Sequence, residues 1–92
     1  MKVNLRYFAS VREAIGRGEE DIGVDGLTGL TGLTGLTLGA LRDALIARGE
    51  PYASALARGK AVRIALDQVM SGEDAVLRDG SEVAFFPPVT GG

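Results

Sequence analysis

From Val3 to Tyr7 apolar residues alternate with Lys2, Asn4 and Arg6, which predicts a half-buried strand with Val3, Leu5 and Tyr7 on its inner face. Ala9 to Ile15 reads as a short helix. Ser10 is its expected N-cap with Glu13 three residues on, Val11, Ala14 and Ile15 share a face, and Gly16 ends it. Glu19 to Val24 follows as a second strand beside the first. Over residues 38–48 the apolar positions Leu38, Leu41, Ala44 and Leu45 recur at helical spacing, with Thr37 as N-cap and Gly49 just past the end; this is the main helix. Pro51 suits the first turn of a further short helix reaching to about Arg58, where Gly59 stops it.

Alternation returns at Val62, Ile64 and Leu66, giving a third strand, and Val69 to Ser71 form a brief fourth after an Asp67-Gln68 turn. Asp79-Gly80 marks another turn. Glu82 to Phe86 is the last strand, and Pro87-Pro88 must end it because proline brings no N–H to a ladder. Beyond it, residues 87–92 run out as an extended, flexible tail. Strand, helix, strand, main helix, short strands and a final strand make an α+β fold with one mixed sheet packed on one main helix plus short helices. The order is that of a β-grasp.

Residues 26–37 break the pattern: Gly-Leu-Thr occurs as 26–28 and repeats as 29–31, 32–34 and 35–37. Glycine at every third position disfavours a helix, and a three-residue leucine spacing drifts around its surface. We read a surface loop between the second strand and the main helix, a passive expansion rather than a binding element. Two doublings of loop length cost only about 1.2 kcal/mol of closure entropy.

Ninety-two residues make a single domain over 1–92 with one modest core, and an apolar share of 46% suits a folded globule. A net charge of -2 with no basic cluster argues against nucleic acid as a partner. The apolar runs are too short for a signal peptide or a membrane span, so a cytoplasmic protein that uses no membrane is expected. The chain has neither Cys nor His, which removes thiolate nucleophiles and the commonest metal ligands. No pair of carboxylates stands out, and Glu19-Glu20-Asp21 reads as a solvated strand edge or turn. Any part in a reaction is therefore that of a substrate or carrier.

The residue types that remain point to the C-terminus. With 14 glycines in 92 residues, a Gly-Gly end would arise by chance about 2% of the time. Here it follows a strand and a Pro-Pro stop, so Val89-Thr90-Gly91-Gly92 present a slim carboxyl group on a stiffened stalk. Without a Cβ, Gly91 and Gly92 can pass a narrow channel and tolerate the φ it imposes. Any sulfur carried without cysteine must sit on that carboxyl carbon.

The block Asp79-Gly80-Ser81-Glu82-Val83-Ala84-Phe85-Phe86-Pro87-Pro88-Val89-Thr90-Gly91-Gly92 resembles, almost position for position, the C-terminal signature of the small, sulfur-carrying subunits of molybdopterin synthase, a ubiquitin-like family. Tyr7-Phe8-Ala9 with Val11-Arg12-Glu13, and Leu41-Arg42-Asp43-Ala44-Leu45, are similar to that family's first strand, helix entry and main helix. Two places depart from it: the triplet loop replaces a short connection, and Asp67 stands where Asn is expected before Gln68.

The resemblance implies that the protein is not an enzyme by itself and binds no cofactor or metal. A separate activating enzyme would use ATP to adenylate Gly92, and a sulfur donor would convert it to a thiocarboxylate. The large synthase subunit, in a heterotetramer, would take the tail through Phe86, Pro87, Pro88, Val89, Thr90 and Gly91 and pass sulfur to cyclic pyranopterin monophosphate. Alternatives are a carrier for thiazole synthesis or tRNA thiolation, and a ubiquitin-like modifier. Phe86 is either a partner contact or a cover for the outer sheet face. Lys60 and Arg63 read as solvated charges, with acidic groups of a partner as the alternative.

Overall fold

The computed structural model describes residues 2–23, 37–57 and 59–88. Its elements are β1 (Lys2–Tyr7), α1 (Ala9–Ile15), β2 (Glu19–Gly23), α2 (Leu38–Ala47), α3 (Tyr52–Ala55), β3 (Arg63–Leu66), β4 (Val69–Met70) and β5 (Glu82–Phe86). Among these residues the strands form one mixed sheet of order β2-β1-β5-β3-β4. β5 lies in its middle, parallel to β1 and antiparallel to β3. The expected α+β architecture, one sheet on one main helix, is what the chain adopts, and residues 24–36, which hold most of the triplet segment, lie outside the described residues.

Alternation decides which face is covered. Val3, Leu5 and Tyr7 of β1, Val83 and Phe85 of β5 and Ile64 of β3 form one core with Leu38, Leu41 and Leu45 of α2, Val11 and Ile15 of α1, and Leu56. α2 begins as its sequence predicts: Thr37 Oγ1 accepts from the Ala40 N–H at 3.1 Å. The two N–H groups before Ala40 donate to the carbonyls of Ala75 and Glu73 at 2.9 Å each, so the segment leading to β5 crosses the helix end. The crossing is tight at Gly39, where a Cβ would press on Glu73 Cβ at 3.1 Å and on the Glu73 carbonyl oxygen at 3.3 Å.

Four local expectations are corrected. Ser10 does not cap α1: the helix spans Ala9–Ile15 as expected, but its N-cap is Phe8, two residues before Ser10, and the Phe8 carbonyl accepts from Val11 and Arg12. The chain turns out of β1 at Ala9 with φ +50°, which places Ser10 inside the first turn, and Ala14 is exposed rather than on the buried face. α3 stops at Ala55 instead of about Arg58, because the buried Arg42 guanidinium donates to the carbonyls of Leu56 (2.7 Å) and Ala57 (3.0 Å) and ends the helix there. β3 starts at Arg63 and β4 stops at Met70, so Val62 and Ser71 flank these strands, although the Ser71 N–H still reaches the Ile64 carbonyl at 3.1 Å.

The fourth correction concerns Glu20. Glu19 and Asp21 are solvated on the edge strand β2, as expected, but Glu20 alternates inward and its side chain is only 8% exposed. Its Oε1 accepts from the hydroxyls of Tyr7 (2.9 Å) and Tyr52 (2.8 Å), and its Oε2 from Arg17 at 2.8 Å. Arg48 stands 3.6 Å from Oε1 and lies over the Tyr52 ring, 4.7 Å from its centroid. One carboxylate thus ties β1 and β2 to α3 and the end of α2.

Burial first, and then the hydrogen bond to Glu20, hold the Tyr7 hydroxyl well above the ordinary tyrosine range; the same causes raise Tyr52. An unfolded tyrosine ionises near pH 10 while the folded one keeps its proton, so unfolding releases protons there and stability falls as pH rises beyond about 10. Urea unfolding from pH 8 to 11 should show this decline. In Tyr7→Phe the decline should be shallower, with a loss of about 1.5–3 kcal/mol already present at neutral pH; an unchanged alkaline slope would refute the coupling.

Candidate functional site: the last strand and the root of the tail

The central position of β5 fixes where the chain leaves the fold. Val83 and Phe85 are fully buried, and the Phe85 ring stacks on Tyr7 with centroids 6.0 Å apart and planes 19° from parallel. The Phe8 N–H donates to the Phe85 carbonyl at 3.1 Å, which extends the β1–β5 pairing by one residue. Arg63 is the register partner of Phe86 on the other side. β5 is therefore gripped on both edges up to its last residue, and Pro87-Pro88 follow without strand pairing.

Alternation puts the even-numbered residues of β5 on the face away from the helices. Register pairs Phe86 with Arg63 across β5 and β3, with Phe8 just past the end of β1 beside them, and behind them lie Arg6, Ala84, Ala65 and Met70. Phe86 is half-buried in this face, whereas Phe8 is 46% and Met70 57% exposed. The sequence left Phe86 between partner contact and sheet cover. The structure puts it on the uncovered face among other apolar side chains.

Of the residues predicted for the site, Phe86, Pro87 and Pro88 come together here, all half-buried. Val89, Thr90, Gly91 and Gly92 lie outside the described residues. Phe8 and Met70 are apolar members of the face that sequence reasoning missed. The alternation of β1 carries on to Phe8, but only the parallel pairing with β5 reveals its neighbour. Among the described residues no group of three or more His, Cys, Asp or Glu side chains could hold a metal ion. Among the described residues no helix is long and apolar enough to cross a membrane.

A family model described as the ThiS family matches residues 5–92. The chain belongs to the ThiS family. This ThiS-family chain is 38% identical over 90 residues to the "Molybdopterin synthase sulfur carrier subunit" of Escherichia coli (strain K12), covering 98% of this chain and 99% of that one. A structure titled "Putative molybdopterin converting factor, subunit 1 from Pyrococcus furiosus" superposes with a TM-score of 0.72 at 28% identity, covering 97% of this chain and 99% of that one. A Helicobacter pylori "Protein-protein complex of subunit 1 and 2 of Molybdopterin-converting factor" contains a chain of the same fold, with TM-score 0.63, 24% identity and full coverage of both.

The two neighbouring phenylalanines should separate on mutation. Phe85→Ala empties a fully buried site and should cost about 3–5 kcal/mol. Phe86→Ala, from a half-exposed site, should cost less than about 1.5 kcal/mol. Denaturant melts of both variants check this, and equal losses would place Phe86 in the core.

Proposed function

We propose that this chain is a sulfur carrier of molybdenum cofactor biosynthesis, a non-catalytic subunit of molybdopterin synthase whose reactive group is the Gly92 carboxyl. The observation that carries this reading is the full-length likeness to the Escherichia coli sulfur carrier subunit in a chain whose central strand ends at the root of a Gly-Gly terminus. The absence of Cys and His from the sequence supports it, because the carboxyl is then the natural point of attachment for sulfur.

In this reading a Gly92 carboxylate oxygen attacks the α-phosphate of ATP, held by an activating enzyme, and pyrophosphate leaves. The acyl-adenylate carries AMP as a good leaving group. A donor supplying sulfur at the sulfide level displaces AMP and leaves a thiocarboxylate. The tail then enters the large synthase subunit, the thiocarboxylate sulfur bonds to a carbon of cyclic pyranopterin monophosphate, and water cleaves the acyl–sulfur bond, which leaves the sulfur on the pterin and returns Gly92 to a carboxylate. Two such deliveries complete the dithiolene of molybdopterin.

The chain's own part is mechanical. β5 holds the root in a fixed direction, Pro87-Pro88 stiffen the exit, and Val89 to Gly91 are the slim segment that threads the partner. The subunit complex of the Helicobacter pylori proteins supports a large subunit as the partner; a heterotetramer is the assembly we propose for the two. The outer face bearing Phe8, Phe86 and Met70 supplies the apolar contact beside the tail. Cytoplasmic location follows from the partners this role requires.

Deleting Gly92 should abolish AMP acceptance and sulfur transfer while leaving the unfolding midpoint unchanged, since the residue lies beyond the last strand. Circular dichroism and an activation assay on the same sample read both. A truncated chain that is still adenylated and still supports molybdopterin formation would overturn the proposal.

A further inference from the structure

The outer face holds two arginines in different electrostatic states. Arg6 is neutralised within the chain: its Nε lies 3.3 Å from Glu82 and 3.8 Å from Glu19, and it donates to Asn4 Oδ1 at 3.2 Å. Arg63 is exposed and makes no ion pair or side-chain hydrogen bond with any described residue. Yet it stands in the apolar half of the face, paired in register with Phe86 and next to the strand carrying Met70.

We infer that Arg63 is a specificity-determining contact for the large subunit, which must present a carboxylate opposite it at the edge of the mouth that receives the tail. This rests on the function proposed above. Any partner that takes up Gly92 must come down against the tail's root, where Phe8, Phe86 and Arg63 lie together. Covering Phe86 and Met70 removes water from Arg63 as well. A guanidinium desolvated without a counter-ion is strongly unfavourable, and its planar fork is matched by a carboxylate. Arg6 makes no such demand, because Glu82 and Glu19 accompany it.

Lys60 supplies the control. It is a cation on the other flank, lining a groove of about 160 Å³ with Val11, Ala14 and Ala55 on the helix side of the sheet. Replacing it changes net charge equally without touching Phe8, Phe86 or Arg63.

The test measures affinity of the full-length chain and its variants for the isolated large subunit at two salt concentrations, with an unfolding midpoint for each variant. Arg63→Leu should weaken binding about tenfold by leaving the partner's carboxylate unpaired. Arg63→Glu should weaken it about a hundredfold, while Lys60→Glu changes it less than about threefold. A charge-reversed partner carrying Lys at the facing carboxylate should restore binding to Arg63→Glu. Tighter binding by Arg63→Leu would show an apolar surface opposite and overturn the inference. So would unchanged binding by both Arg63 variants, or an equal loss in Lys60→Glu, which would mean diffuse attraction. If the wild-type chain failed to bind the large subunit at all, the proposed function itself would fall, a result distinct from these.

Discussion

The pairing of β5 between β1 and β3 is the constraint on which the rest depends. A strand placed last in the chain but in the middle of the sheet cannot fray without exposing Val83 and Phe85, both fully buried, and breaking ladders on two sides. The point at which the chain leaves the sheet, at Pro87, is therefore set by the core. For a molecule that must hand its terminus to a partner, a fixed root shortens the search and lowers the entropy lost on insertion. The parallel pairing with β1 also brings Phe8 alongside Phe86, so the ladder that holds the strand also assembles the apolar part of the uncovered face.

Two charged side chains join the layers around that strand. Glu20 gathers two tyrosine hydroxyls and two guanidiniums where the sheet meets α2 and α3, and Arg42 closes the end of α3 on the carbonyls of Leu56 and Ala57. Such groups are costly to bury alone, and here every buried side-chain nitrogen and oxygen among the described residues has a partner. They specify how the short helix α3 sits, which its four residues could not fix by propensity.

The periodic parts of this architecture were legible in the sequence. Val3-Leu5-Tyr7, Ile64 and Val83-Phe85 announce strands, and Thr37 with Leu38, Leu41 and Leu45 announces α2, because each signal is local and the core only ratifies it. What the sequence hid depends on contacts between distant residues. Glu20 read as solvated because its partners Tyr7, Tyr52 and Arg48 lie 13, 32 and 28 positions away. The end of α3 was misjudged because Arg42 sets it from another helix. Ser10 matched a capping pattern, but Phe8 stays extended after β1, held by its N–H to the Phe85 carbonyl, and the chain turns at Ala9. At the site, Phe86 and the prolines were visible from the C-terminal block. Phe8, Met70 and the place of Arg63 beside Phe86 needed the pairing of neighbouring strands.

The proposed carrier role places the chemistry at the Gly92 carboxyl, and the state of that group decides it. The most direct measurement is the mass of the C-terminal peptide from protein purified out of its own cells under conditions that preserve acyl sulfur. The account predicts a fraction heavier by the difference between one sulfur and one oxygen atom, located at Gly92 and lost on mild hydrolysis. A terminus found only as free carboxylate in cells actively making molybdopterin, or a sulfur located on any other residue, would contradict it.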